Sequence, residues 1–243
     1  MKRPAAIGAF ALCYDQASGK PAFSRLSKLL RRVLASHPGG ARTLLDVGCG
    51  TGLALELFDG LGYTCVGVDA SLPMLRVAAA RERRIVGGDF RALPLRGRFG
   101  VVTILNDTLT SLRSWSDLLR CFRSIRGCMG PQSLLLFDTS QPRALARWSR
   151  RETYRLRGRG YDVSISTSYS RGRRVGTLRF RGHAGADLIE EVHEQRSYSR
   201  AEITRALRRA SLREVEVIDF RRFPPPAERT PQYEAWLFVA RPV

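Results

Sequence analysis

Leu44-Leu45-Asp46-Val47-Gly48-Cys49-Gly50-Thr51-Gly52 is an apolar strand running straight into a glycine-rich turn, and Leu53 to Leu61 continues from it as a helix. A turn this tight needs positive backbone dihedrals, and glycine lets the backbone approach a ligand lying across the strand's carboxyl end. A second apolar run, Thr64 to Val68, ends on Asp69, 21 positions after Gly48, where a carboxylate can accept the hydroxyl protons of a ribose. Strand, glycine turn, helix, strand and acid in this order mark a nucleoside-binding βαβ unit. The G-x-G-x-G spacing puts Leu53 where a nicotinamide fingerprint carries its third glycine, and no Lys-Ser or Lys-Thr pair follows to cradle phosphates. The dinucleotide and P-loop readings are set aside on that ground.

Outward from this unit the alternation continues. Upstream, Phe23, Leu26, Leu29, Leu30, Val33 and Leu34 recur at helical spacing and stop at His37-Pro38-Gly39-Gly40. Downstream the pattern predicts a helix from Pro73 to about Arg83, a short strand at Arg84 to Val86, and a buried parallel strand at Val101 to Leu105. A helix from Trp115 to Cys128 follows, closed by Gly130-Pro131 before a strand at Leu134 to Asp138. From Gln141 to Tyr198 the texture becomes that of an antiparallel insertion, with strands at Tyr154 to Leu156, Tyr161 to Tyr169, Val175 to Phe180 and Ile189 to Tyr198. A helix at Arg200 to Ala210 and two edge strands, Val215 to Phe220 and Ala235 to Ala240, joined through Pro224-Pro225-Pro226, complete the chain. The expected architecture is α/β: a Rossmann-like, doubly wound, mostly parallel seven-stranded sheet with an antiparallel β cap. Residues 1–140 and 199–243 form the core in this reading, and 141–198 the cap.

Composition narrows the function. The chain has 243 residues, 44% hydrophobic and 26% charged, with 41 Lys plus Arg against 22 Asp plus Glu and a net charge of +19, so a polyanion is the first partner to consider. The basic residues are nearly all Arg and scatter through every element; the densest groups, Arg81 to Arg84 and Arg147 to Arg159, fall on a helix end and in a loop rather than along an aromatic-lined stripe. Cys13, Cys49, Cys65, Cys121 and Cys128 are odd in number and form no C-x-x-C pair, so neither a disulfide framework nor a zinc site is indicated, and a reducing, cytoplasmic setting is expected. His37, His183 and His193 are too dispersed for a metal site. Met1-Lys2-Arg3 followed by Ala5 to Cys13 imitates a signal peptide but lacks a small-residue cleavage site, and no run approaches the roughly 20 apolar residues of a membrane span.

Asp46-Val47-Gly48-Cys49-Gly50-Thr51-Gly52 resembles the first motif of the class I S-adenosylmethionine-dependent methyltransferases. Val68-Asp69-Ala70-Ser71 with Met74-Leu75 is similar to that family's ribose-binding acidic loop, Gly88-Asp89-Phe90 to its adenine loop, and Phe99 to Asp107 to its fourth strand, which ends beside the transferred methyl. Met129-Gly130-Pro131-Gln132-Ser133 departs from the family's Lys-Pro-Gly-Gly turn, a structural feature. The resemblance implies S-adenosylmethionine as cofactor, held by Tyr14, Asp46, Gly48, Cys49, Gly50, Asp69, Ala70, Met74, Asp89, Phe90 and Asn106.

Tyr14-Asp15 resembles the opening of the subgroup that methylates small molecules, in which the N-terminal segment folds over the cofactor; Lys20 is a further candidate for the cofactor carboxylate, and an ordinary packing role is the competing reading of Tyr14. The subgroup also carries an antiparallel cap, and His193 on it is a candidate general base, because an imidazole titrates in the useful range; a plain surface-strand histidine is the alternative. A neutral amine acceptor needs alignment more than a base, whereas an oxygen acceptor needs one. The leading expectation is methyl transfer to nitrogen or oxygen of a small-molecule acceptor in secondary metabolism. Its rivals are an RNA methyltransferase using the basic surface, against which Asn106-Asp107-Thr108 lacks a Pro-Pro-aromatic sequence, and a catalytically silent cofactor-binding interaction protein. The acceptor's identity and the oligomeric state stay open.

Overall fold

The computed structural model describes residues 9–15, 20–81, 84–150, 152–158, 160–185, 187–220 and 234–243. A short helix α1 (Ala9–Tyr14) and a long one, α2 (Lys20–Ser36), precede the alternating unit β1 (Thr43–Val47), α3 (Leu53–Asp59), β2 (Thr64–Asp69), α4 (Leu72–Ala79), β3 (Ile85–Gly87), β4 (Phe99–Ile104), α5 (Trp115–Gly127) and β5 (Met129–Ser140). Then come α6 (Pro142–Ala146), the strands β6 (Thr153–Gly158), β7 (Tyr161–Ser170), β8 (Val175–Ala184) and β9 (Asp187–Arg196), helix α7 (Arg200–Arg209), and β10 (Leu212–Asp219) and β11 (Ala235–Pro242).

Seven strands form one sheet in the order β10-β11-β5-β4-β1-β2-β3. β1, β2, β3, β4 and β5 pair in parallel, and β11 joins β5 and β10 in antiparallel pairing. The order reverses beside β1, so the carboxyl ends of β1 and β4 flank the switch point at which open α/β sheets bind ligands. Two apolar layers cover the sheet: α5 and α7 contribute Leu118, Phe122, Ile203 and Leu207 to one face, while α2 and α3 contribute Leu26, Leu30, Leu55 and Phe58 to the other. Fully burying side chains of this size is worth roughly 1.5–3 kcal/mol each. Helix starts are chemically marked. The Ser114 hydroxyl accepts the Asp117 N–H to open α5, and Ser199 and Glu202 cap α7 reciprocally.

The second sheet, β6-β7-β8-β9, is wholly antiparallel, and β7 alternates buried and half-buried residues as a one-sided sheet requires. Its inner face carries Tyr161, Val163, Ile165, Phe180 and Ile189, against which Phe10 of α1 packs. Arginine bridges tie it to the core: Arg174 in the β7–β8 turn holds Glu202 of α7 at 2.6 and 2.9 Å.

Several expectations need correction. Helix α4 starts at Leu72 and ends at Ala79, short of Arg83. Gly130-Pro131 does not separate α5 from the next strand; β5 begins at Met129, which pairs with Phe99, and Gly130 to Ser133 bulge out before pairing resumes at Val101 and Leu134. The arginines expected in a loop lie on regular elements, since Arg147–Arg150 is a 3-10 helix and Arg155 and Arg157 lie on β6. Helix α6 was not foreseen. Pro224-Pro225-Pro226 lies outside the described residues. Among the described residues no helix is long and apolar enough to cross a membrane, no group of side chains could hold a metal, and Cys49, Cys65, Cys121 and Cys128 are free thiols.

Candidate active site at the carboxyl edge of the sheet

The glycine turn after β1 has φ of +74° at Gly48, +53° at Gly50 and +87° at Gly52. The Gly48 and Cys49 N–H groups donate to the Val68 carbonyl at 2.7 and 3.1 Å, which fixes the turn against β2. A Cβ on Gly48 would lie 2.2 Å from the Thr108 methyl, so the chain leaving β4 can cross here only over a glycine. At Gly50 the situation is reversed: an added Cβ would meet nothing closer than the Met74 sulfur at 4.0 Å, and the backbone faces open space. Cys49 turns its thiol toward Gly67, 2.7 Å from where a Cβ would stand, so only its backbone faces the turn. Burial, with Asp46 and Asp69 nearby, pushes that thiol far up.

Asp46 of β1 and Asp69 of β2 bring carboxylates to this edge. Asp69, at the end of β2, accepts the Gly50 N–H at 2.8 Å and the Ser71 N–H at 2.7 Å, one on each oxygen. Burial raises its pKa against the lowering effect of these bonds. Asp46 is 2% exposed, accepts the Thr103 hydroxyl at 2.7 Å, and is pushed up to about 7, first by burial and then by the charge of Asp69. Each is held by hydroxyl or backbone N–H donors, and no arginine figures among the groups acting on either.

The N-terminal helix lies across the same edge. Tyr14 is half-buried, and its hydroxyl accepts from the Asn106 Nδ2 at 3.1 Å. Burial foremost, and then Asp138, Asp15 and Asp46, push its ionisation far up. Asp15 accepts the Thr51 hydroxyl at 2.7 Å and pairs with Arg81, whose guanidinium also donates to the Thr51 carbonyl at 2.9 Å. Asn106 and Asp107 both sit in the left-handed region, φ +57° and +61°. The fully buried Asp138 accepts their N–H groups at 2.7 and 3.2 Å. Asp107 in turn accepts the Ser140 N–H and hydroxyl, each at 2.5 Å.

The structure therefore gathers Tyr14, Asp46, Gly48, Gly50, Asp69, Met74 and Asn106 around one turn, with Ala70 exposed beside Asp69. Asp89 and His193 are placed differently. Both oxygens of Asp89 are taken by the Arg91 guanidinium at 2.5 to 3.0 Å, and Arg91 also reaches Asp117 of α5 at 3.3 Å. Hydrogen bonding to Arg91 holds the Asp89 carboxyl below the usual carboxylate range. Phe90 packs half-buried against the α5 side of the core. His193 lies on the cap's inner face, its Nε2 3.0 Å from a Glu191 oxygen and its ring 4.6 Å from Phe10 and 5.2 Å from Phe180. Phe10 also packs on Tyr14, at 5.2 Å. One phenyl ring thus links the cap histidine to the tyrosine over the turn. The side chain of Lys20 lies outside the described residues. Sequence reading missed Asp15, which had been singled out only as Tyr14's neighbour, and Asp138, whose signal was an acid ending an apolar strand.

Residues 19–217 match a family described as a methyltransferase domain. The chain is 29% identical over 199 residues to the cypemycin N-terminal methyltransferase of a Streptomyces species, covering 79% of this chain and 80% of that one. It is 35% identical over 117 residues, 46% of this chain and 45% of the relative, to the dTDP-3-amino-3,6-dideoxy-alpha-D-glucopyranose N,N-dimethyltransferase of Streptomyces fradiae. Its fold superposes on the crystal structure of an S-adenosylmethionine-dependent methyltransferase from Clostridium acetobutylicum with a TM-score of 0.79 at 17% identity, over 96% of this chain and 97% of that one.

Proposed function

The chain belongs to the methyltransferase-domain family, and from that premise we propose that it moves a methyl group from S-adenosylmethionine to an amine nitrogen of a small molecule. The observation that carries the cofactor is electrostatic. In a chain of net charge +19, the buried Asp46 and the half-buried Asp69 have taken hydroxyl and backbone N–H partners instead of arginine. A ligand bearing its own cations and a ribose is what such a pair accommodates. The open backbone at Gly50 fits the same ligand.

S-adenosylmethionine supplies, when bound, a methyl on a sulfonium that departs as a neutral thioether and needs no acid. The residues around it bind, align and exclude water. Asp69 keeps lone pairs beyond its two N–H bonds that would accept ribose hydroxyls, and Asp46 and Asn106 would hold the cationic end. Tyr14 and Asp15 hold α1 across the turn, and Phe10 extends that cover to the cap. Holding a lone pair in line with the methyl supplies roughly 7–11 kcal/mol, so a neutral amine reacts without prior deprotonation. His193, oriented by Glu191, is the proposed acceptor of the proton that the methylated amine then sheds. The core, 1–140 with 199–243, carries the cofactor in this reading, and the cap, 141–198, the acceptor.

The nitrogen preference rests on relatives whose names specify a peptide N-terminus and an amino sugar. The test is calorimetric titration with S-adenosylmethionine, S-adenosylhomocysteine and NAD, followed by a panel of peptide amines and nucleotide-linked amino sugars read by mass gain of one methyl. Micromolar binding of the first two ligands and methylation within the panel support the proposal. Binding of NAD alone, or methyl incorporation into RNA, overturns it.

A further inference from the structure

The turn that ends β4 is built against local preference. Two consecutive residues with side chains, Asn106 and Asp107, hold φ of +57° and +61°, where glycine would be free of steric cost. Asn and Asp tolerate this region best, but two in succession persist only where surrounding structure over-determines them. Here Asp138 does so, since both of its oxygens face the turn and each accepts one of the two successive N–H groups. Asp107 is fixed from the same strand end by Ser140.

The side chain kept at 106 has two ends. Its Nδ2 donates to the Tyr14 hydroxyl, and its Oδ1 is buried with no hydrogen-bond partner among the described residues. A buried amide oxygen without a donor is costly, and a ligand at this edge would complete it. The atom sits at the carboxyl end of β4, next to the glycine turn of β1, on the side covered by Tyr14.

We infer that Asp138 is a positioning residue: by holding the Asn106-Asp107 turn left-handed it aims the Asn106 Oδ1 at the place where the transferred methyl stands. This rests on the methyltransferase reading above. A carbonyl oxygen there accepts the polarised C–H groups of a sulfonium methyl and fixes its direction toward the incoming amine.

The test uses two probes of one shape: S-adenosylhomocysteine, which has no group at that place, and sinefungin, which carries an ammonium there. Asn106→Gly keeps the left-handed turn and removes only the amide, and Asp138→Asn replaces one of the two acceptors. In both variants sinefungin affinity is expected to fall about 10-fold or more, the worth of a hydrogen bond to a charged donor, while S-adenosylhomocysteine changes less than about 3-fold. A merely structural Asp138 would weaken both probes equally, and that result overturns the assignment. So does an unchanged ratio in Asn106→Gly. If the wild-type protein binds neither probe, the cofactor reading itself fails, and thermal melting of each variant separates lost folding from lost recognition.

Discussion

Cofactor binding is expected to expel a proton from Asp46. Its carboxyl is pushed up to about 7 by burial and by Asp69, with only the Thr103 hydroxyl working the other way, so at pH 7 about half of the unliganded molecules carry the proton. A cation brought within a few ångströms lowers a carboxyl pKa by 1–3 units. Binding at pH 7 then releases about 0.5 proton per ligand, and for a two-unit fall the release peaks at about 0.8 near pH 6 and drops to about 0.1 at pH 8. Titration of S-adenosylmethionine in buffers of different ionisation enthalpy reads this number as the slope of observed heat against buffer heat. Asp46→Asn must flatten the slope. A zero slope for the wild type at both pH 6 and pH 7, with binding intact, refutes the placement of cationic charge beside Asp46. The stability of the free protein carries the same sign: because the folded pKa is raised, the native state holds the proton more tightly, and Asp46 makes the fold less stable as pH rises from about 4 to 7.

Asp69→Ala removes the proposed acceptor of the ribose hydroxyls and is expected to cost about 3 kcal/mol or more of cofactor affinity, whereas Asp89→Ala, whose oxygens already serve Arg91, should cost under about 1 kcal/mol; equal losses by calorimetry would remove the distinction between them. At the join of core and cap, burial raises the Glu202 carboxyl, but Arg174 and Ser199 outweigh it and hold it at about 2. Its stabilisation is therefore present above about pH 4.5 and lost as pH falls toward 2. Glu202→Gln should lose about 1–3 kcal/mol in urea unfolding at pH 7 and match the wild type at pH 2; a deficit that persists at pH 2 would assign the effect to packing. Binding to an RNA oligonucleotide is expected to vanish by roughly 0.2 M salt and to leave the RNA unmethylated; a salt-resistant complex that gains methyl groups would restore the rival substrate.

The core was readable because its signals are local. Leu44 to Gly52 states strand and glycine turn in nine residues, the helix follows at once from Leu53, and Asp69 comes at the spacing of one βαβ unit. The cap strands were readable for the same reason, through alternation and turns. What escaped depends on contacts between distant segments. Asp89 sits in the expected loop, but its oxygens were claimed by Arg91 two residues on, and the pull of Asp117 on that arginine comes from α5. His193 was singled out, yet its neighbour Phe10 lies 183 positions away. Asp138 looked like the end of a strand because its role exists only once β4 and β5 are paired.

The charge that first suggested nucleic acid takes on a different meaning in three dimensions. Arginine outnumbers acid so heavily that single carboxylates serve two guanidinium groups: Glu202 takes Arg174 and Arg196, Glu234 takes Arg143 and Arg147, Glu194 takes Arg113 and Arg173, and Asp162 takes Arg155 and Arg157. These pairs lie on the cap and its joins to the core. At the carboxyl edge the sign inverts. Asp46 and Asp69, the carboxylates nearest the glycine turn, have no arginine partner among the described residues, so a phosphate approaching them would be repelled. A nucleic acid carries phosphates on both sides of every base, so it would bring such charge to this edge in any orientation.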